Sequence, residues 1–353
     1  MRPRPPSSCR TISIVLRRLL LLVVVLAIAS AGAGWWVRQR LISPFRGFAD
    51  DEIFVEVPPG SSVAAIANRL AAAGVLPDAL TFRLAARFTG ADRRLQAGEY
   101  RFSGPSTPMV VLERLSAGDV YTRGITFPEG LTIFESADVF ARSGFGTPTE
   151  FLRAVRDPAL VVSYDARARS LEGYLFPDTY ALPRRAGADA AVRAMLARFD
   201  QVLDADVRAA AAARGLTVPQ TLTLASLIEK ETSRTDERPL VSAVYHNRLT
   251  AGIPLQCDPT VIYALMLAGK WNGNLRKVDL QLNSAYNTYR VRGLPPGPIA
   301  SPGRASIAAA VHPADVPYLY FVSRNDGSHV FARTLAEHNR NVQQWQVRYF
   351  QGR

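Results

Sequence analysis

Apolar and polar residues along the chain fall into two kinds of pattern. Leu19 to Val37 runs 19 residues without a charge. As a helix it would be roughly 28 Å long, about the thickness of a bilayer core. Beyond it the patterns are shorter. Ile53-Phe-Val-Glu-Val57 alternates like a strand. Pro58 to Ser62 is a turn whose serines suit a helix N-cap, and Val63, Ile66, Ala67 and Leu70 keep helical spacing up to Gly74. A second helix is predicted near Asp78–Phe88, a strand over Gln96–Phe102 and a short helix over Pro108–Leu115. The strand-turn-helix pattern then recurs: Pro58 to Val63 matches Pro128 to Ile133 as P-x-G-x-[ST]-[VI]. Later, Thr221 to Thr232 reads as a helix that begins apolar and ends charged. A further helix is predicted from Asp236 as its cap, with Pro239 in the first turn and Gly252 at its end.

These elements predict an α+β chain in five parts: a basic tail (1–18), a transmembrane helix (19–37), a linker (38–52), a small α+β module (53–123) and a mixed α+β catalytic domain (124–353). Trp35 and Trp36 stand where indole rings favour the membrane interface. Arg2, Arg4, Arg10, Arg17 and Arg18 precede the apolar run, which predicts a cytoplasmic N-terminus and an extracytoplasmic remainder. A cleaved signal peptide is the competing reading.

Charge and cysteines then exclude several classes. The net charge is +12, but seven arginines fall in the first 40 residues, which hold no Asp or Glu. The basicity is mainly a membrane-flank feature, and no nucleic acid is expected as a partner. Cys9 and Cys257 lie on opposite sides of the apolar run and cannot pair across a membrane. The four histidines keep no metal-binding spacing, so no metal site is expected.

The chemistry gathers in the last third. Leu222, Ala225, Ser226 and Glu229 lie at i, i+3, i+4 and i+7, which places Glu229 on the face of apolar and small residues. A carboxyl held there is expected to keep a proton near neutral pH and to serve as a general acid. Glu231 should fall on a wet face. The bland alternative is that Glu229 pairs with Arg234 or Arg248. Gly293 to Gly303, dense in Pro and Gly, is a loop of the kind that shapes clefts. Gln256, Asp258, Tyr286, Asn287 and Tyr289 are candidates for holding sugar or, equally, for bracing loops. Glu172 and Asp178 read as structural, and His338-Asn339 as a brace at a strand or helix end.

An ordered set of motifs carries a family resemblance. It comprises Leu171 to Tyr180, Glu229-Lys-Glu-Thr232, Leu255-Gln-x-Asp-Pro-Thr260, Ala285-Tyr-Asn-Thr-Tyr289, Gly293-Leu-Pro-Pro-Gly297, Ala300-Ser-Pro-Gly303, His312-Pro-Ala314, Pro317 to Val322 and His338-Asn339. Over about residues 53–348 the chain resembles the MltG (YceG-like) family of endolytic peptidoglycan transglycosylases. Cys257 departs from it, where Thr or a similar residue is expected. The first strand-turn-helix unit also looks like a LysM-type glycan-binding module. The resemblance implies cleavage of the MurNAc–GlcNAc β-1,4 bond of nascent glycan, a 1,6-anhydro-MurNAc end and control of strand length. It implies peptidoglycan strands and membrane synthases as partners, and no cofactor. It maps the family's acid onto Glu229. Glu229→Gln should therefore abolish cleavage, and Glu231→Gln should keep most of it. The competing functions are a hydrolase pairing Glu229 with Asp258 or Glu237, and a non-enzymatic wall scaffold. A pyridoxal-phosphate lyase is disfavoured, since none of the three lysines, Lys230, Lys270 and Lys277, stands in a cofactor context.

Overall fold

The structure, a computed structural model, describes residues 8–349, with side chains from residue 17. The start of the expected basic tail lies outside the described residues. The chain divides into two compact units, up to Thr122 and from Arg123.

The first unit begins with helix α1 (Ser8–Ile42), which contains an apolar span over Arg17–Ile42. The helix runs past Val37, so the expected linker begins inside it. Strand β1 (Ile53–Val57) leads to α2 (Val63–Ala72), whose N-cap is Ser62, and then to α3 (Ala79–Thr89), capped by Asp78. Strand β2 (Gly98–Phe102) pairs antiparallel with β1, Ile53 opposite Phe102 and Val57 opposite Gly98. Helix α4 (Pro108–Ala117), capped by Thr107, completes a core of Ile66, Leu70, Phe82, Tyr100 and Leu115. Alternation along the strands and helical spacing along α2 place these side chains on the inner face.

Strand β3 (Thr122–Thr126) spans the boundary and pairs with β4 (Thr179–Pro183). Between them lie α5 (Ile133–Arg142) and α6 (Pro148–Ala154), each opened by a Thr-Glu capping box. Helices α7 (Ala188–Val202) and α8 (Ala205–Ala213) follow, then α9 (Val218–Glu231), α10 (Arg238–Thr250), α11 (Asp258–Leu267) and α12 (Arg304–Val311). A hairpin of β5 (Tyr320–Ser323) and β6 (His329–Ala332) and helix α13 (Leu335–Val342) close the described chain. The expected cap of α10 shifts by one residue. Glu237 holds that place without a side-chain bond, while Asp236 pairs with Arg234 at 2.9 Å.

Helix α9 is the axis of the second unit. Thr217 and Gln220 cap it reciprocally, Pro219 occupies its first turn, and every residue from Thr221 to Ile228 is buried. Helices α8, α10, α11 and α12 all pack on it. A helix that is apolar or small all round is a core helix without a wet face. His338, on α13, stacks on Tyr320 of β5 at 5.2 Å, which ties that helix to the hairpin.

Candidate functional site

Two carboxylates leave the last turn of α9 in different directions, and their surroundings differ in kind. Glu229 is buried against Arg238, with Oε1 2.9 Å from Nη2 and the two side chains 6% and 8% exposed. Its Oε2 accepts the Gly303 amide at 3.0 Å. Each oxygen already accepts a hydrogen bond, one of them from a buried guanidinium. The expected partners of the bland alternative are engaged elsewhere. Arg234 pairs with Asp236 and Glu237. Buried Arg248 donates to the carbonyls of Pro254, Leu255 and Leu319. The pairing of Glu229 is thus real, with a different arginine.

Arg238 serves a second acid, Glu129, at 3.7 Å. Burial raises the Glu129 carboxyl, the charge of Glu229 adds to that, and Arg238 opposes both. The two loops meeting here are tied by backbone: Gly130 donates to Ser301 and Ser301 to Leu131, each at 2.8 Å. Lys230 donates to the Gly130 carbonyl at 3.0 Å. Gly130 takes φ +76°, and a Cβ there would touch the Glu229 side chain. The Pro-Glu-Gly segment, legible in sequence only as a turn, is therefore one wall of the Glu229 pair.

Glu231 overturns the wet-face expectation. It is partly buried, and the buried Tyr245 hydroxyl donates to its Oε1 at 2.8 Å. No guanidinium or ammonium pairs with it among the described residues. Burial raises its carboxyl above the ordinary range, and the nearby Asp258 charge adds to this. Side-chain hydrogen bonds from Cys257 and Tyr245 and the charge of His329 work against the rise. Burial likewise pushes the Cys257 thiol well up, with the Glu231 charge adding to it. That fits a neutral thiol, at the position where the family resemblance leads one to expect Thr. His329 is itself held by Glu237, which accepts its backbone N–H at 3.0 Å and contacts Nδ1 at 2.7 Å. Glu237 also accepts from the hydroxyl of Thr232, the residue after Glu231.

The other expected sugar-binding residues fall into two groups. Asp258 and Tyr289 stand near enough to Glu231 to act on its charge, and Gln256 precedes Cys257, which hydrogen-bonds to Glu231. The Tyr289 hydroxyl donates to exposed Asp258 Oδ1 at 2.5 Å. Gln256 is exposed, takes the left-handed φ of +53°, and is pinned by its amide to Thr288 O at 3.2 Å and by Arg248 at 3.4 Å. A non-glycine residue in that conformation needs such over-determination. Asn287 is different. It is fully buried, donates to the Leu280 and Leu282 carbonyls and accepts from the Tyr289 amide. Its expected place at the sugar gives way to bracing the loop. Tyr286 points away from this group: it packs edge-on against Tyr263 at 5.1 Å and lines a separate cavity of about 840 Å³ that contains neither Glu229 nor Glu231.

Glu172 and Asp178 have the structural roles expected of them. Glu172 Oε2 accepts the first amide of α5, from Ile133, at 3.1 Å. Asp178 pairs with Arg198 at 2.8 Å and accepts the Thr179 amide.

The profile of the YceG-like family matches residues 55–344. A Bacillus subtilis protein named endolytic murein transglycosylase is 32% identical over 88% of this chain and 89% of its own length. A Streptococcus pneumoniae protein of the same name is 31% identical over 90% of this chain, which spans 63% of that longer protein. A crystal structure of a yceG-like protein from Listeria monocytogenes superposes with a TM-score of 0.56 at 31% identity, covering 83% of this chain and 99% of that one.

Proposed function

For a chain that belongs to the YceG-like family, we propose a membrane-anchored lytic transglycosylase in which Glu231, not Glu229, is the acid and then the base. The chain is an enzyme of the murein transglycosylase kind, with peptidoglycan as its substrate. The bond cut is the MurNAc–GlcNAc β-1,4 bond within a strand. The observation that carries the assignment is the environment of Glu231: a partly exposed carboxyl raised by burial, without a cationic partner among the described residues, and with Asp258 and Tyr289 close by.

One carboxyl suffices for both steps. Protonated Glu231 gives its proton to the glycosidic oxygen as the C1–O bond breaks. The carboxylate left behind takes the proton of the sugar's own C6 hydroxyl as O6 closes on C1. No water enters, and the new end is 1,6-anhydro-MurNAc. Asp258, held by the Tyr289 hydroxyl, supplies negative charge for the oxocarbenium-like centre, and Gln256 pairs with sugar hydroxyls. The N-terminal span anchors the chain with its catalytic unit outside the cytoplasm, beside the synthases whose strands it trims. The first unit, with its strand, turn and Ser62-capped helix, is read as a glycan-binding module.

A second reading has its own observation. Asp258 is exposed and close enough to Glu231 to raise it, and two carboxylates flanking a bond can activate water and hydrolyse it. Product masses decide between the two. Full-length protein incubated with uncrosslinked glycan polymer should yield ends lighter by one water than hydrolytic ends. Glu231→Gln should lower the rate by about 10²- to 10⁴-fold, the usual weight of a general acid. Glu229→Gln should keep the chemistry in whatever fraction folds. Loss of cleavage in a well-folded Glu229→Gln, with Glu231→Gln active, would return the acid to Glu229.

A further inference from the structure

The cavity of about 840 Å³ lies beside the Glu231 group rather than within it. Helix α11 joins the two. Asp258 opens the helix, and Tyr263 follows five residues later, roughly 7.5 Å along the axis. The segment from Ala285 to Tyr289 runs alongside, with Tyr289 on Asp258 and Tyr286 on Tyr263. Its Tyr286 end forms part of the cavity wall.

The lining has three kinds of surface. Leu216, Leu249, Leu267 and Leu294 give it aliphatic walls. Arg167 and Arg169, both exposed, also line it, and neither side chain forms an ion pair among the described residues. Asp165 is the opposing acid, occupied by the Tyr174 hydroxyl at 3.2 Å. Glu172 is buried at 4% exposure; its Oε2 accepts the Ile133 amide, and the Tyr263 hydroxyl faces the carboxyl. Burial pushes that carboxyl up to about 8, against the Ile133 amide that favours its charge. At neutral pH it therefore brings little negative charge to oppose the arginines.

N-acetylglucosamine has no charge, and muramic acid without its stem offers one lactyl carboxylate for two arginines and no alkyl side chain for the leucines. The short peptide on muramic acid has free carboxylates for the arginines and alkyl side chains for the leucines. We propose that this cavity binds the stem peptide of the glycan and makes the enzyme selective for stem-bearing strands, with Arg167 and Arg169 holding the peptide carboxylates. This rests on peptidoglycan being the substrate.

The test uses full-length protein in detergent and one glycan polymer in two forms, with stems and stripped of them by an amidase. Wild type should cleave the stemmed form at least tenfold faster in kcat/KM. The double variant R167A/R169A should bring the two forms to equal rates, with the stripped-polymer rate and Tm unchanged. Free stem peptide, titrated calorimetrically into Glu231→Gln protein, should bind, and the arginine variant should weaken that binding at least tenfold. Equal cleavage of both polymers by wild type, or peptide binding that ignores the arginines, overturns the proposal while the transglycosylase reading stands. Cleavage of neither polymer would count against that reading instead, and the peptide titration would still decide the cavity.

Discussion

Glu172 is a buried acid whose charge the fold resists. Its carboxyl ionises near 4.5 when exposed and at about 8 in the native protein. Below 4.5 it is neutral in both states and leaves stability untouched. Between 4.5 and 8 the native state binds the proton more tightly than the unfolded chain does, so stability falls as pH rises through that window. Glu129 and Glu231 are shifted in the same direction and add to the fall. Glu172→Gln should therefore flatten, without abolishing, the decline in Tm between pH 5 and 8.5. It can still accept the Ile133 amide, so α5 keeps its first bond. A thermal-unfolding series at half-unit pH steps measures this; parallel wild-type and variant curves would show that Glu172 is not the group responsible.

At the scale of elements, the Glu229–Arg238 pair joins the end of α9 to the start of α10, and the Gly303 amide brings in the start of α12. Removing one member of a buried pair leaves the other charge unpaired, at a cost of about 3–5 kcal/mol. Arg238→Met should lose stability in that range by urea unfolding, and Glu229→Gln should also lose stability, because the single amide oxygen of Gln can accept from Arg238 or from Gly303 but not from both. A change within about 0.5 kcal/mol for Arg238→Met would mean that the pair does not fasten these helices. This contact also marks what sequence could and could not reveal. The strands β1 and β2, the cap at Ser62, and helices α2 to α4 follow local rules of alternation and capping, and they were legible. The choice between Glu229 and Glu231 was not, because facing arguments assume a helix with a dry side and a wet side. Thr221 to Ile228 contains no charge at all, which was the available sign of a helix buried all round. Partners such as Arg238, Glu129 and Tyr245 are set by how α9, α10 and the Pro128–Gly130 turn meet in space, and no spacing along the chain encodes that.

At the scale of the whole molecule, the proposed function depends on α1 being a retained membrane anchor. The apolar span of 26 residues is roughly 39 Å as a helix, longer than a bilayer core of about 30 Å. The excess holds the flanking Arg17, Arg18, Arg38 and Arg40, and in a retained span Trp36, with Arg40 stacked over its ring at 4.8 Å, would stand near the interface. A signal peptide would be cut within the small residues Ala29 to Gly34 and would release the rest. A retained anchor keeps Met1 or Arg2 at the start of the mature chain and resists alkaline extraction. Intact-mass measurement of the membrane fraction separates these outcomes, and the anchored species is expected. Protease added to spheroplasts should then remove a tag at the C-terminus and spare one at the N-terminus. The reverse pattern would put Glu231 on the side of the membrane that holds no finished glycan, and the function proposed for it would fail with the topology.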